Sequence, residues 1–284
     1  MASPRTPYWL SAPAVALFVA VFLMPLLMTA LLSFYSFDFY QGIQPGFSLE
    51  NYLEVLRDDY FHEIFLRTYG ISLAVTLICV VIGTPEAYIL NRMRNPWKSL
   101  FLLVVIGPLL ISVVVRTLGW ALLFGREGPI NQLLTGVGLV ERPLRLMFST
   151  GGVVIALVHV LVPFMVLSVW AALQKLDPAT ERAGLSLGAS EFTVLRRIVL
   201  PQIMPGVLSG SLIVFALTAS AFATPSILGG RRLKVVATTV YDEYLNTLNW
   251  PLGAAIAVVL LIANALVIVS YNRFIERRYA QVFG

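Results

Sequence analysis

Few residues in this chain are placed to do chemistry. Two ionisable side chains, Glu86 and Arg116, interrupt apolar runs of membrane-spanning length. A charge at that depth costs at least about 2.5 kcal/mol on insertion scales, so it persists where it meets a cavity, a partner or the interface. Glu86 follows Gly83-Thr84-Pro85, a kink signal near the end of its run. It either lines a pathway or snorkels toward basic loop residues. Arg116 stands one helical turn before Trp120, which permits a cation–π contact. An ion pair or a cap within a helix bundle is its other reading. Together with Trp120 and Thr224, these residues are the candidates for lining a cavity or pathway within the spans.

Catalytic chemistry is poorly supplied. A phosphate-binding loop needs a Gly-rich turn leading into Lys and then Ser or Thr. Of Lys98, Lys175 and Lys234, only Lys98 precedes a Ser, and no such turn leads into it. His62 and His159 are the only histidines and no HExxH occurs, so no metal centre is expected. His159, one turn before Pro163, reads first as a packing residue near a kink. Cys79 is the single cysteine, which rules out an intrachain disulfide. The chain is expected to bind no cofactor and to be no enzyme by itself.

The polar residues that remain are concentrated in one stretch with helix signals of its own. Asp177 suits an N-cap, Pro178 the first helical position and Gly188 a terminator. Ser190 can cap a second short helix that runs to Pro201, where a break is expected. A loop between membrane spans needs no such order unless something docks on it, so the stretch is a candidate contact surface.

The elements that hold these residues follow from composition. The chain has 284 residues, 58% hydrophobic and 12% charged, against about 25% charged in soluble domains. A bilayer core takes roughly 20 helical residues, and runs near 9–34, 69–90, 100–124, 151–173, 203–228 and 252–271 meet that length. They lack the period-two alternation of a barrel wall. The reading is an all-α integral membrane protein of six spans in a single domain, 1–284, with an ordered loop at 174–201. The first run exceeds the roughly 7–15 apolar residues of a signal peptide, so an uncleaved first span is expected. The helix breaks Pro25, Gly107-Pro108, Pro163, Pro205-Gly206 and Pro225 suit spans that bend around a cavity. Val235–Trp250 reads as an interfacial helix with an aromatic anchor.

Orientation rests on Lys and Arg in short loops. The loop Asn91–Lys98 carries Arg92, Arg94 and Lys98, and Arg5, Lys175, Arg182, Arg196, Arg197, Arg273, Arg277 and Arg278 fall on the same side. Both termini and the ordered stretch are therefore expected in the cytoplasm. The net charge of +5 describes topology; no basic helix or aromatic-basic platform suits a nucleic acid, and lipid is the expected surrounding.

From Gly188 the spacing runs through nine residues to Ile198-Val199-Leu200-Pro201. This resembles the second half of the EAA motif (EAA-x3-G-x9-I-x-LP) of ABC-importer permeases of the binding-protein-dependent type. Arg182, Ala183 and Gly184 stand where that motif has Glu, Ala and Ala, and Glu181 lies one residue upstream. Val115-Arg116-Thr117-Leu118-Gly119-Trp120, Val162-Pro163-Phe164-Met165, Ala223-Thr224-Pro225 and Asn249-Trp250-Pro251-Leu252 look like the spermidine/putrescine branch.

The resemblance implies a MetI-like permease fold in the inner membrane with a coupling helix. Its contact residues would be Glu181, Arg182, Ala183, Gly184, Leu185, Gly188, Ala189, Ser190, Ile198, Leu200 and Pro201. It also implies a cytoplasmic ATPase dimer carrying ATP and Mg, a second permease subunit in a heteromeric complex, and a periplasmic substrate-binding protein. The cargo would be a polyamine or a similar small organic solute; an opine, phosphonate, iron or thiamine fits the same architecture. At Arg182 the charge is reversed, so either the ATPase is complementary or Glu181 takes the acidic role after a helix rotation. A secondary transporter would predict inverted repeats and buried ion ligands, and neither is evident.

Overall fold

Long apolar runs punctuated by Pro, Gly and polar residues form helices throughout the computed structural model, which describes the backbone of residues 6–283 and side chains over 12–273. In chain order the elements are α1 (Thr6–Leu32), a hairpin of β1 (Ser36–Asp38) and β2 (Gly42–Gln44), α2 (Glu50–Arg57), α3 (Asp59–Arg92), α4 (Trp97–Ile106), α5 (Val113–Phe124) and α6 (Pro129–Gly136). There follow α7 (Thr150–Leu173), α8 (Pro178–Ser186), α9 (Glu191–Val194), α10 (Leu200–Ala219), α11 (Val236–Leu245) and α12 (Trp250–Phe283). Among the described residues five helices are long and apolar enough to cross a membrane, and six if one bent pair counts as a span. Arg5 and the side chains of Arg277 and Arg278, used above for orientation, lie outside the described residues.

The chain divides into two compact units, Met1–Glu63 with Thr239–Ala263, and Ile64–Thr238 with Asn264–Gly284. In the first, α1 carries exposed large apolar side chains from Val15 to Leu31, as suits a helix surrounded by lipid. Buried Asn51 ties down the exit of α1 by donating to the carbonyls of Ser33 at 3.0 Å and Tyr35 at 2.8 Å.

A short hairpin joins α1 to α2 within the otherwise helical fold. Ser36 pairs with Gln44, Phe37 with Ile43 and Asp38 with Gly42. Asp38 Oδ1 accepts from the amides of Tyr40 and Gln41, both at 2.8 Å, and Gly42 supplies the left-handed φ of +76° that closes the turn.

Acidic side chains crowd Glu54 on α2. Burial first, then Glu243, Asp58 and Glu50, push its carboxyl above the ordinary range. A raised folded-state pKa means the folded chain holds the proton more tightly, so stability falls as pH rises from the ordinary carboxylate range through the raised value. Glu54→Gln is therefore expected to raise the melting temperature of the detergent-solubilised protein at neutral pH. The gain should vanish in acid, below the ordinary carboxylate range.

In the second unit α7 is the core helix, with Val153, Ala156, Leu157, Met165, Val166 and Val169 buried. Close approach is made through glycine. A Cβ on Gly206 of α10 would lie 2.5 Å from Ala172 Cβ and 2.8 Å from the Ser168 carbonyl, and one on Gly210 would lie 2.8 Å from Met165 Sδ. Without a hydrophobic drive between helices in lipid, such small-residue contacts carry the association.

The spans depart from expectation where Pro and Gly cluster. The third is broken: α4 ends in a 3-10 turn at Gly107–Leu110, Ile111 and Ser112 are extended, and the limbs before and after meet at 98°. Pro108 lacks the amide that would continue the α-helical ladder. The fifth stops at Ala219 rather than at residue 228, and Pro225–Gly229 forms a separate wide turn. Pro201, expected to break its helix, does not. A π turn at Leu195–Val199 shifts the ladder so that the Leu200 amide reaches Leu195, and the helix absorbs the proline.

Candidate functional site

The polar segment after α7 folds through local chemistry. Asp177 Oδ1 accepts from the Ala179 amide at 2.8 Å and Pro178 opens α8. The Leu187 and Gly188 amides close the far end on Ala183 and Leu185, and Gly188 takes a φ of +83°. Ser190 Oγ then accepts from the Thr193 amide at 3.3 Å to start α9. Both expected caps are in place.

Packing divides α8 into two faces. Gly184 is buried, and a Cβ there would lie 2.7 Å from Ile198 Cδ1 and 3.2 Å from Val194 Cγ2. Glu181 turns to the same side and pairs with Arg92 Nη2 at the end of α3, at 2.6 Å. Arg92 in turn lies over the Tyr88 ring at 4.5 Å. Arg182, Ala183 and Leu185 are exposed, while Ala189, Ile198 and Leu200 are half-buried and Ser190 and Pro201 exposed. Leu187 and Phe192 stand out at 88% and 69% exposed. The Arg92–Glu181 pair escaped the sequence reading because its members lie 89 residues apart.

A second locus is a cavity of about 320 Å³ lined by Arg116, Thr224, Phe164, Leu161, Leu157 and Ile111 among others. Arg116, only 9% exposed, donates from Nη1 to the Pro108 carbonyl, across the break in the third span. Its Nε is buried without a hydrogen-bond partner. The cation–π contact with Trp120 that spacing permits is not made. Trp120 Nε1 instead donates to His159 Nδ1 at 3.1 Å, with the rings edge-on at 5.4 Å. Thr117 and Thr224 hydroxyls meet at 3.2 Å beside the cavity. The structure thus brings Arg116 and Thr224 to one cavity, sets Trp120 beside His159, and leaves Glu86 half-buried on α3, outside that lining.

The chain thus combines helices long and apolar enough to cross a membrane, one of them broken, with a doubly capped polar segment between two of them. The chain belongs to the family of binding-protein-dependent transport system inner membrane components, whose model matches residues 5–281. It is a multi-pass ABC-importer permease of the inner membrane. It is 32% identical over 250 residues to the spermidine/putrescine transport system permease protein PotB of Escherichia coli (strain K12), covering 88% of this chain and 90% of that one. It is also 30% identical over 269 residues to the sulfate transport system permease protein CysW of Synechocystis, covering 93% and 91%. Its fold matches a bacterial ABC transporter involved in import of the acidic polysaccharide alginate, with a TM-score of 0.76 at 17% identity over 96% of this chain and 95% of that one.

Proposed function

We propose that this chain forms half of the translocation pathway of an importer for a polyamine such as spermidine or putrescine, or a similar small organic solute. The likeness to PotB over most of both chains supports this cargo. A related second permease completes the pathway, a periplasmic binding protein delivers the solute, and a cytoplasmic ATPase dimer holding ATP and Mg drives the cycle. Both termini and the segment 174–201 face the cytoplasm. There α8 is the coupling helix, and its movement, transmitted through α9 and the π turn into α10, re-opens the spans on the other side.

The observation that carries the coupling role is the order of the segment: two capped helices, a left-handed Gly188 turn, and an outward face bearing Arg182, Leu185, Leu187 and Phe192. Deleting Ala179–Leu187 is expected to abolish co-purification with the ATPase while the chain still inserts in the membrane. Undiminished co-purification would sink the reading.

One observation favours a second cargo. The guanidinium of Arg116 is the charged group lining the cavity, and it has no carboxylate partner among the described residues. A buried cation suits a solute bearing an anionic group. Uptake of putrescine competed by γ-aminobutyrate, which carries a carboxylate in place of one aminomethyl group, separates the two. Competition only by amines supports the polyamine; preference for the carboxylate supports the second cargo.

A further inference from the structure

We infer that the ATPase groove receiving α8 presents a carboxylate to Arg182, so that the pairing at this position runs with its charges exchanged. The inference rests on the reading of α8 as the coupling helix and adds the chemistry of its partner.

Glu181 is already engaged. Its carboxylate lies 2.6 Å from Arg92 Nη2, and its side chain retains 22% exposure. Arg92 is itself positioned over Tyr88, so the acceptor site for Glu181 is built into the end of α3. A charge-assisted pair of this length is among the stronger side-chain contacts.

Rotation of α8 does not free it. Successive side chains on a helix are about 100° apart, so bringing Glu181 to the place of Arg182 would swing a neighbouring side chain into the position of Gly184. That position has no room: a Cβ would already lie 2.7 Å from Ile198 Cδ1 and 3.2 Å from Val194 Cγ2. Gly184 and the Arg92–Glu181 pair together lock the register in which Arg182 faces out.

Arg182 has no carboxylate partner among the described residues. Its Nε donates to the Pro178 carbonyl at 3.3 Å, within its own helix. The two terminal nitrogens remain for a partner, and an arginine presented this way matches a carboxylate with two parallel hydrogen bonds. Leu185, one helical turn from Arg182, and Leu187 and Phe192 beyond the end of α8 are exposed, apolar surface of the kind that keeps water from an arginine at an interface. Lys175, Arg196 and Arg197 are also exposed, against Glu191 and the capping Asp177. The charge balance of the segment, with Glu181 neutralised by Arg92, therefore asks for an acidic partner.

The test uses the complex of this chain with its second permease, ATPase and binding protein, reading ATPase co-purification and hydrolysis stimulated by the loaded binding protein. Arg182→Glu is expected to lower stimulated hydrolysis at least about tenfold, as removal of a buried pair partner does at interfaces. Arg182→Lys should retain most of it. Changing the groove's acidic residues to Arg one at a time should include one variant that restores the Arg182→Glu complex. Unimpaired coupling in Arg182→Glu, or failure of every groove variant to restore it, overturns the inference. Co-purification that survives deletion of Ala179–Leu187 would instead remove the docking reading beneath it.

Discussion

Gly206→Leu is expected to leave almost no folded permease in the membrane, seen as loss of the monodisperse peak when the detergent-extracted protein is sized. The residue sits where α10 lies against α7, and even a methyl group there would meet Ala172 Cβ at 2.5 Å and the Ser168 backbone carbonyl at 2.8 Å. A backbone atom cannot change rotamer to make way, so the helices must separate. Separation loses the contacts of neighbouring Gly210 with Met165 and Ser168 as well. Overpacking costs roughly 1–3 kcal/mol in soluble cores. A leucine against backbone exceeds that range, because dispersion lost along the whole pair is not recovered from burial when lipid is the alternative. Gly119 on α5 supplies the control: nothing lies within 4 Å of a Cβ there. Gly119→Ala should be neutral or stabilising by up to about 1 kcal/mol through helix propensity. Equal damage from both substitutions would mean that packing at Gly206 is not the cause.

What could be read from the sequence was what local chemistry decides. The fourth span was expected at 151–173 and α7 covers Thr150–Leu173, because an apolar run bounded by Ser149 and a polar segment has little alternative. The caps at Asp177 and Ser190 and the turn at Gly188 were equally local. Gly107-Pro108 announced a disturbance but not its size, since the same dipeptide suits a gentle kink or the observed 98° break. Pro201 misled because a single proline says nothing about a compensating π turn that ends two residues upstream. The partners of Glu181 and Arg116 were out of reach for a different reason. Each is chosen by tertiary geometry: Arg92 comes from the far end of α3, and the Pro108 carbonyl becomes available to Arg116 only because the span breaks. Gly184 shows the same limit. Its small size is dictated by Ile198 and Val194 on the following turns, which spacing alone does not bring into contact.

Arg116→Met is expected to lower solute uptake at least about tenfold while the complex assembles and melts within a few degrees of the unaltered one. The stability side is a near-cancellation. Removing a charge from membrane depth relieves about 2.5–3.5 kcal/mol on insertion scales, and losing a hydrogen bond from a charged donor costs about 1.5–3 kcal/mol. The Pro108 carbonyl keeps an acceptor role, because the Ile111 amide also reaches it, at 3.3 Å. The break in the span therefore survives, and methionine fills much of the vacated volume. Function has no such compensation. Arg116 lines the cavity and reaches across the broken span to the Pro108 carbonyl, and under the proposed pathway role it would link what the cavity holds to the geometry of the bend. Arg116→Lys separates the two contributions: it restores charge, but as a single point without the planar fork. Uptake recovered by Lys makes charge the essential property, and uptake lost in both variants makes it the fork. Full uptake in Arg116→Met would confine the residue to a bystander's place in the bundle.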